Sequence, residues 1–300
     1  MINMTRRSFF QQLAALAGSS MIVPREAGKP VALARVLQAV GSSDEDTCLR
    51  RFTLAVDHGL AEKPMGEIMV AVGMSFLGSP YRSNTLEVPG KERLVVNLQM
   101  FDCVTFVEST LALSRCIKRN NHTFDDFKRQ LQFVRYRSGT IDGYPSRLHY
   151  FTDWVGDNQA KRVVKDVTRD IGGEPYRKAM NFMSTHKSLY RQLSEGANAE
   201  KIKAAETKIS AREQYHIPKG RVAELQSNIR GGDIIALTTS IEGLDVSHAG
   251  LAIDSHGTVK YLHAPLTSGS VQLSEHSLAD YLTAHEKQTG IIVARPLEPT

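Results

Sequence analysis

The order of local patterns along the chain restricts its fold more than any other feature, because helix-like segments come first and strand-like segments come last. Apolar residues recur at helical spacing in four early segments, at 49–60, 65–77, 104–117 and 124–136. After Gly231-Gly232 the pattern changes to short β-prone runs at 233–239, 246–253, 259–263 and 291–295, with a small helix predicted at 277–285. Helices followed by a meander of strands predict an α+β domain.

The middle of the chain has weaker patterns. Residues 137–158 are rich in aromatic side chains and in residues typical of loops, so we expect a loop there. Residues 176–195 and 197–214 are rich in charge and are predicted to be helical. These helices belong to an insertion near residues 172–228, whose role as a lid, a partner surface or filler the sequence leaves open. Residues 28–300 are expected to form one domain.

The first 27 residues resemble a targeting segment. Arg6-Arg7 precede a short, weakly apolar run that ends before Pro24. This combination resembles a twin-arginine export signal, which is an address read by a receptor and not an anchor. The alternative is an amphipathic N-terminal helix that stays in the folded domain. The resemblance predicts a periplasmic or otherwise exported protein, and the chain contains no run of about 18 apolar residues that would predict a membrane span.

The formal net charge of +5 raises the question of nucleic acid binding. Arg6, Arg7 and Arg25 supply three of these charges within a segment that has no acidic residue, which leaves +2 for the rest of the chain. Elsewhere basic residues alternate with Asp and Glu, as in 200–213, a pattern typical of a solvated helix. The distribution of charge therefore argues against a nucleic acid partner.

Cys103 is the cysteine whose position suggests chemistry. The chain contains two other cysteines, Cys48 and Cys116. Because three cysteines cannot all pair in disulfides within one chain, an exported form would keep at least one free thiol. Cys103 lies in the first turn of the predicted helix, directly after Asp102, which suits the N-cap position. Backbone N–H groups and the helix dipole favour the nucleophilic thiolate there. The Asp102 carboxylate opposes this effect, so we expect a histidine to take the thiol proton; the alternative is a small buried apolar cysteine.

His248 and His263 have the sequence positions that best suit this role. Alternation in 246–253 places His248 on one face of a strand with Gly250 and Ala252, and the larger apolar residues on the other face. A turn centred on Ser255-His256 would place the two histidines opposite each other, and a turn displaced by one residue at both ends would leave them diagonal neighbours. His248 would be the general base and acid, and His263 would fix its tautomer and orientation. The alternative is two structural histidines held by backbone groups.

Five motifs occur in a particular order along the chain. They are Gly78-Ser79-Pro80-Tyr81, Phe101-Asp102-Cys103-Val104-Thr105-Phe106-Val107-Glu108, Gly231-Gly232-Asp233-Ile234-Ile235-Ala236-Leu237, Ser247-His248-Ala249-Gly250-Leu251-Ala252-Ile253 and Leu262-His263-Ala264. Their order and spacing resemble the NlpC-type branch of papain-like cysteine hydrolases. The segment 135–154 further resembles the N-acetylmuramoyl-L-alanine amidase-like subgroup. The resemblance covers about residues 65–295, and Val104-Thr105 replace the Ser-Gly pair that follows the cysteine in most of the superfamily.

The resemblance implies a bacterial cell-wall hydrolase with a papain-like α+β fold, in which a nucleophile at a helix N-terminus packs on an antiparallel β-meander. It implies Cys103 as nucleophile, His248 as base and His263 as orienting residue, while Tyr81 helps the backbone N–H of Cys103 to hold the oxyanion. The subgroup cleaves the amide between muramic or anhydromuramic acid and the first L-alanine of the stem peptide. Superfamily relatives cut between D-glutamate and the diamino acid instead, so this endopeptidase reaction is the alternative.

Substrate selection is expected in the loop 146–154, where Arg147 suits carboxylates and Tyr150 and Trp154 suit a sugar ring. The alternative is a loop whose aromatic residues pin it to the core. Asp102 and Ser247, beside the expected nucleophile and base, complete the predicted contacts with peptidoglycan fragments or muropeptides.

No cofactor and no metal are expected, because the chain contains neither a His-Glu-x-x-His nor a Cys-x-x-Cys motif. A monomer without a membrane span is expected. A catalytically silent wall-binding module on the same fold is the alternative from a different class of protein.

Overall fold

The computed structural model describes residues 43–194 and 196–300. The export signal expected at residues 1–27 lies outside this part of the chain. The helices, in chain order, are α1 (Asp44–Asp57), α2 (Met65–Met74), α3 (Cys103–Lys118), α4 (Phe124–Arg135), α5 (Phe151–Ala160), α6 (Thr168–Ile171), α7 (Phe182–Thr185), α8 (Gly196–Ser210), α9 (Val222–Leu225) and α10 (Leu278–Thr283). The strands are β1 (Val164–Asp166), β2 (Glu174–Pro175), β3 (Tyr215–Pro218), β4 (Ile234–Thr239), β5 (Val246–Ser255), β6 (Thr258–His263), β7 (Gln272–Leu273) and β8 (Gln288–Pro296).

The strands form a sheet in the order β2-β3-β8-β4-β5-β6-β7, and β1 pairs with β8 beside β3. Each of these pairings is antiparallel. Together with the helices, the sheet gives the mixed architecture of helices and antiparallel strands that the order of sequence patterns predicts. No helix in the described part of the chain has the length and apolar character that crossing a bilayer requires.

Each face of the sheet has its own apolar core. Ala249, Leu251 and Ile253 of β5 belong to the larger core, to which α1 to α5 all contribute. Ala252 of β5 and Tyr261 of β6 belong to a second core on the opposite face, where α10 packs. The predicted alternation of β5 is therefore confirmed, and His248 and His263 extend from the face of the second core.

Residues 151–160 form a helix where the aromatic content predicted a loop. Helix α5 begins where Asp245, the residue before β5, accepts hydrogen bonds from the backbone N–H of Thr152 at 2.7 Å and from its hydroxyl at 2.9 Å. This carboxylate satisfies one of the backbone N–H groups that the first turn of a helix leaves unpaired. Because Asp245 lies 93 residues away in the chain, no local pattern indicates the start of this helix.

The predicted helix at 176–195 is wrong, since the segment contains only α7 and short 3-10 turns. The hydroxyl groups of Ser184 and Thr185 donate to the carbonyl oxygen of Asn181 at 3.1 and 2.8 Å, and such bonds compete with a regular helix. Apolar side chains of this segment form a third core with Tyr144 and Tyr150. Later in the 172–228 stretch, β3 pairs with β8, so part of this stretch belongs to the main sheet.

The turn between β5 and β6 sets the register of the two strands that carry the histidines. His256 and Gly257 both have positive φ values, 54° and 82°, as a two-residue hairpin turn of type I′ requires. Gly250 therefore pairs with His263. Of the two arrangements that the sequence allows, the one with His248 directly opposite His263 is not observed, because the turn lies one residue beyond Ser255-His256. The two histidines are diagonal neighbours, the other arrangement that the sequence allows.

Gly250→Ala is expected to lower the free energy of unfolding by about 1–3 kcal/mol, because overpacking forces the backbone to shift. An added Cβ would lie 2.5 Å from the backbone oxygen of Leu262 and 2.9 Å from the Cβ of His263. Gly220→Ala is the matched control, since the described structure leaves an added Cβ there without a neighbour within 4 Å. Urea unfolding measures both variants, and equal stability would contradict the close pairing of β5 with β6.

Candidate active site

Cys103 is the first residue of α3, and Asp102 is the N-cap of this helix. The Asp102 carboxylate accepts a hydrogen bond from the backbone N–H of Thr105 at 2.8 Å, and Thr105 Oγ1 accepts one from the backbone N–H of Asp102 at 2.9 Å. This reciprocal pair is a capping box. Thr105 therefore has a local structural role, and Cys103 lies in the turn whose backbone N–H groups have no acceptor within the helix.

A run of backbone contacts connects the start of α3 to the sheet. Strand β7 pairs with the end of β6 that carries His263. The segment 79–81 hydrogen-bonds to the residues just before β7, and Tyr81 bridges to Phe101, two residues before Cys103. The fold therefore brings Tyr81 and the start of α3 to the same edge of the sheet as His263.

His248 and His263 form a hydrogen-bonded pair. Nε2 of His248 lies 2.7 Å from Nδ1 of His263. The His263 side chain is fully buried, whereas His248 is half-buried. Because the contact uses Nε2 of His248, Nδ1 is the nitrogen of this ring that remains for another partner.

Two tyrosines surround the histidine pair. The ring centroid of Tyr261 lies 4.7 Å from that of His263 and 5.8 Å from that of His248. Tyr281 of α10 contacts His263 edge to face at 5.1 Å. Burial raises the pKa of both tyrosines, and negative charge on Cys103 raises each of them further. Cys103 therefore lies close enough to act electrostatically on both tyrosines that contact His263.

Burial keeps both histidines neutral. Burial, and then the charge of His285, lowers the pKa of His248 to about 3. Burial, and then the charges of His248 and His285, lowers the pKa of His263 to about 2. At neutral pH each ring therefore has one N–H group and one nitrogen lone pair, so one ring donates and the other accepts in their shared hydrogen bond. A neutral His248 is able to accept a proton.

The other two cysteines have a different environment. Cys48 and Cys116 are completely buried, whereas Cys103 is only partly buried. Burial raises the pKa of the Cys48 thiol well above its usual range, and burial raises that of Cys116 to about 12. Both thiols stay protonated and inert at neutral pH.

Asp245 fixes the start of the strand that carries His248. Its carboxylate is 1% exposed, and besides its bonds to Thr152 it accepts one from the backbone N–H of Val246 at 2.7 Å. The hydroxyl of Tyr176 donates to the carbonyl oxygen of Asp245 at 3.0 Å. Asp245 thereby joins β5 to α5 two residues before Ser247-His248, a role that the sequence analysis did not predict.

The guanidinium of Arg147 is already occupied by protein groups, so the prediction of a substrate contact needs correction. It donates to Glu87 Oε1 at 2.9 Å, and its Nε lies 3.4 Å from Glu92 Oε1. It also lies over the Tyr144 ring, 4.9 Å from the centroid. Arg147 is 5% exposed. The residue holds the loop before α3 in place, and it does not present a free charge to solvent.

Tyr150 and Trp154, also predicted to contact substrate, belong to the interior. The hydroxyl of Tyr150 donates to Glu206 Oε1 at 2.6 Å, and the ring lies in the third core. Trp154 is 1% exposed and stacks on Phe151 in the larger core. These positions agree with the alternative interpretation, in which the aromatic residues of this segment pin it to the core.

The other predicted contacts lie at accessible positions. Asp102 and Ser247 are both partly exposed, and Ser247 Oγ donates to Gln288 Oε1 at 2.9 Å. Tyr81 is partly buried and packs against the larger core. Within residues 43–194 and 196–300, no group of three or more His, Cys, Asp or Glu side chains has the arrangement of a metal site.

Tyr261, Tyr281 and His285 are site residues that the sequence analysis missed. Tyr261 lies two residues before His263, so strand alternation places both on one face, a signal that was available. Tyr281 and His285 are four residues apart and stack with centroids 4.3 Å apart. Tyr281 lies in α10 and His285 lies just after it, and no sequence pattern linked this segment to the histidine pair.

A family model and a solved structure both point to the same family. A family model described as N-acetylmuramoyl-L-alanine amidase-like matches residues 71–291. The crystal structure of an N-acetylmuramoyl-L-alanine amidase from Bacteroides uniformis is 38% identical in sequence, with a TM-score of 0.74, and the match covers 77% of this chain and 98% of that one. None of the curated proteins compared with the chain matches it.

Two further solved structures are similar. A protein from Bacteroides fragilis described as a xylanase is 38% identical, with a TM-score of 0.70, over 75% of this chain and 99% of its own. A protein from Legionella pneumophila is 21% identical, with a TM-score of 0.63, over 84% of this chain and 94% of its own, and indicates the fold alone.

Arg147→Ala is expected to lower the free energy of unfolding by about 1–3 kcal/mol, because it leaves the partly buried carboxylates of Glu87 and Glu92 without their partner. Arg147→Lys keeps the charge but loses the planar guanidinium, so its free energy of unfolding should lie between those of Arg147→Ala and the unchanged protein. Thermal unfolding followed by circular dichroism measures the series. A stable Arg147→Ala protein with a changed substrate preference would instead restore the substrate contact predicted from the sequence.

Stability is expected to fall as the pH drops below about 6.5. The folded pKa values of His248 and His263 lie below the usual value of 6.5, so between about pH 6.5 and pH 3 the unfolded chain binds protons that the folded chain does not. Each histidine contributes a slope of up to about 1.4 kcal/mol per pH unit, and its stabilising effect is complete above pH 6.5.

Urea unfolding at a series of pH values from about 6.5 to 5 tests this prediction, since most carboxylates stay charged there. The variant His263→Asn should show a clearly smaller slope than the unchanged protein. A flat curve for the unchanged protein would show that the pair is not held neutral.

Proposed function

The chain belongs to the N-acetylmuramoyl-L-alanine amidase-like family, and we propose that it is a cell-wall hydrolase that cuts the amide between N-acetylmuramic acid, or its anhydro form, and L-alanine by a cysteine mechanism. The observation that carries the proposal is the 2.7 Å contact between His248 and His263 in the surroundings of Cys103. A half-buried thiol at a helix N-terminus, a neutral base and an orienting group are the parts that thiol catalysis requires.

In the proposed first half-reaction, Nδ1 of His248 takes the proton of the Cys103 thiol while the sulfur attacks the lactyl carbonyl carbon. His248 then gives this proton to the nitrogen of L-alanine, and the C–N bond breaks. The products are a free stem peptide and a muramoyl thioester on Cys103. Throughout, Nε2–H of His248 donates to Nδ1 of His263, which holds the orientation of the base.

In the second half-reaction, His248 removes a proton from water and the resulting hydroxide adds to the thioester carbon. The sulfur leaves, takes a proton back from His248, and the muramic acid carboxyl group is released. The backbone N–H of Cys103 and the hydroxyl of Tyr81 are proposed to hold the oxyanion of both tetrahedral intermediates. What supports Tyr81 is its bridge to Phe101, next to the start of α3. This division of roles is that of papain-like hydrolases of the NlpC type.

Asp102 and Ser247 remain the proposed substrate contacts, because both flank the reacting groups and are partly exposed. Hydrolysis between D-glutamate and the diamino acid is the second candidate reaction, since the proposed groups suit any amide that reaches the sulfur of Cys103. We further propose that the chain acts as a monomer after export by its twin-arginine-like segment, which contains Arg6 and Arg7.

Purified protein is expected to release free stem peptide and free sugar from a defined anhydromuropeptide, as detected by mass spectrometry. Cys103→Ala should reduce the rate by at least about a thousandfold, because it removes the nucleophile. Cys48→Ala is the matched control, since its thiol is buried and protonated, and it should keep the activity under conditions in which it stays folded. A chelator should leave the rate unchanged.

Other outcomes would contradict parts of this proposal. Full turnover by Cys103→Ala would require another nucleophile, and loss of activity with chelator would indicate a metal enzyme. Release of a peptide that begins with the diamino acid would favour the endopeptidase reaction. Binding without turnover would favour a wall-binding module, and cleavage of xylan would indicate the activity named for the Bacteroides fragilis protein.

A further inference from the structure

One ring nitrogen of His263 has a partner, and the other has none among the described residues. Nδ1 lies 2.7 Å from Nε2 of His248, whereas Nε2 is buried and makes no hydrogen bond to the described protein. Burial lowers the pKa of His263, so the ring is neutral and carries a single N–H group on one of these nitrogens. Which nitrogen carries the proton determines what His248 is able to do.

A proton on Nδ1 of His263 would prevent His248 from acting as proposed. His263 would then donate to Nε2 of His248, and neutral His248 would carry its own proton on Nδ1. Nδ1 of His248 would have no lone pair to accept the proton of Cys103. The proposed reaction therefore requires the other tautomer, in which Nε2 of His263 carries the proton although it has no hydrogen-bond acceptor within residues 43–194 and 196–300.

The two tyrosines contact the His263 ring in different ways. The Tyr261 ring is tilted by 32° to His263 at 4.7 Å, so it covers one face of the imidazole. The Tyr281 ring is nearly perpendicular to His263, at 86° and 5.1 Å. The centroids of Tyr261 and Tyr281 are 5.6 Å apart, so Tyr281 lies to the side of the Tyr261 and His263 stack. At this angle and distance, a ring beside the imidazole can receive an N–H group from the imidazole edge on its π face.

We propose that Tyr281 is a positioning residue whose π face accepts the Nε2–H of His263 and so fixes the tautomer that leaves Nδ1 as acceptor for His248. The catalytic consequence rests on the proposed function, whereas the tautomer itself does not. In this role Tyr281 acts through His263 and His248. His285 holds the tyrosine ring in place, since the two rings stack at 4.3 Å and Nδ1 of His285 lies 2.7 Å from the carbonyl oxygen of Tyr281.

Long-range proton–nitrogen NMR correlations on the folded protein at neutral pH read the tautomer of His263 directly. The unchanged protein should show the proton on Nε2. A proton on Nδ1 in the unchanged protein would overturn the proposal without any variant.

Two variants separate the ring face from the hydroxyl. Tyr281→Phe keeps the π face and should keep the Nε2–H tautomer and the activity. Tyr281→Leu keeps apolar volume but removes the face, so the Nδ1–H tautomer should gain population and kcat should fall by about two- to fivefold with KM unchanged, the size expected for one weak hydrogen bond. Tyr281 is only partly buried, so both variants are expected to fold.

The outcomes distinguish this inference from the proposed function. Equal losses in Tyr281→Phe and Tyr281→Leu would assign the effect to the hydroxyl, and a rise in KM alone would assign it to substrate contact; both results would overturn the positioning role. An unchanged tautomer in Tyr281→Leu would do the same. An inactive protein that still shows the tautomer shift would contradict the proposed function and leave the positioning role intact.

Discussion

The turn at His256-Gly257 determines whether the two histidines meet, because a hairpin turn sets the register of the strands that it joins. Both residues have positive φ values, and this places Gly250 against His263 with His248 on the adjacent diagonal. A slip of one residue in the pairing of β5 with β6 would turn His248 to the other face. It would also expose the apolar residues that β5 contributes to the larger core. The same register therefore buries the core and forms the histidine pair, so folding stability and the geometry of the site depend on one constraint.

Buried charge in this protein holds the segments that lead to the site. Arg135 of α4 pairs with Glu108 of α3 at 2.7 Å, and both side chains are 2% exposed. Arg147 holds the loop at residues 86–92 through Glu87 and Glu92. A buried ion pair gives little net stability, but loss of one partner is costly, so such pairs favour a single arrangement of the elements they join. They join α4 and the segment after it to α3 and to the chain that precedes Cys103.

The sequence predicts the local features of the site and misses those that depend on distant contacts. The N-cap at Asp102, the helix start at Cys103 and the shared face of the histidines follow from patterns within a few residues. Helix α5 was missed because its cap is Asp245, a residue of another element. The type of side chain also misled: Arg147 and Trp154 suit carboxylates and sugars, yet ion pairing and core packing account for both. Periodicity cannot distinguish a guanidinium that faces substrate from one that is held by a buried glutamate.

A neutral histidine next to His248 has a different effect from a carboxylate at that position. A buried carboxylate would stabilise the imidazolium and raise the pKa of the base, whereas burial beside neutral His263 lowers the pKa of His248 to about 3. In the proposed mechanism the resting pair is therefore uncharged, and His248 becomes positive only when the sulfur or the oxyanion supplies the opposite charge. A proton on His285 would act in the same direction, because it lowers the pKa of both histidines. In the proposed mechanism, charge separation between the sulfur and His248 is thus limited to the intermediates of the reaction. Neutral His263, whose proposed tautomer is fixed by the contact with Tyr281, provides the orientation of His248 that a carboxylate would otherwise supply.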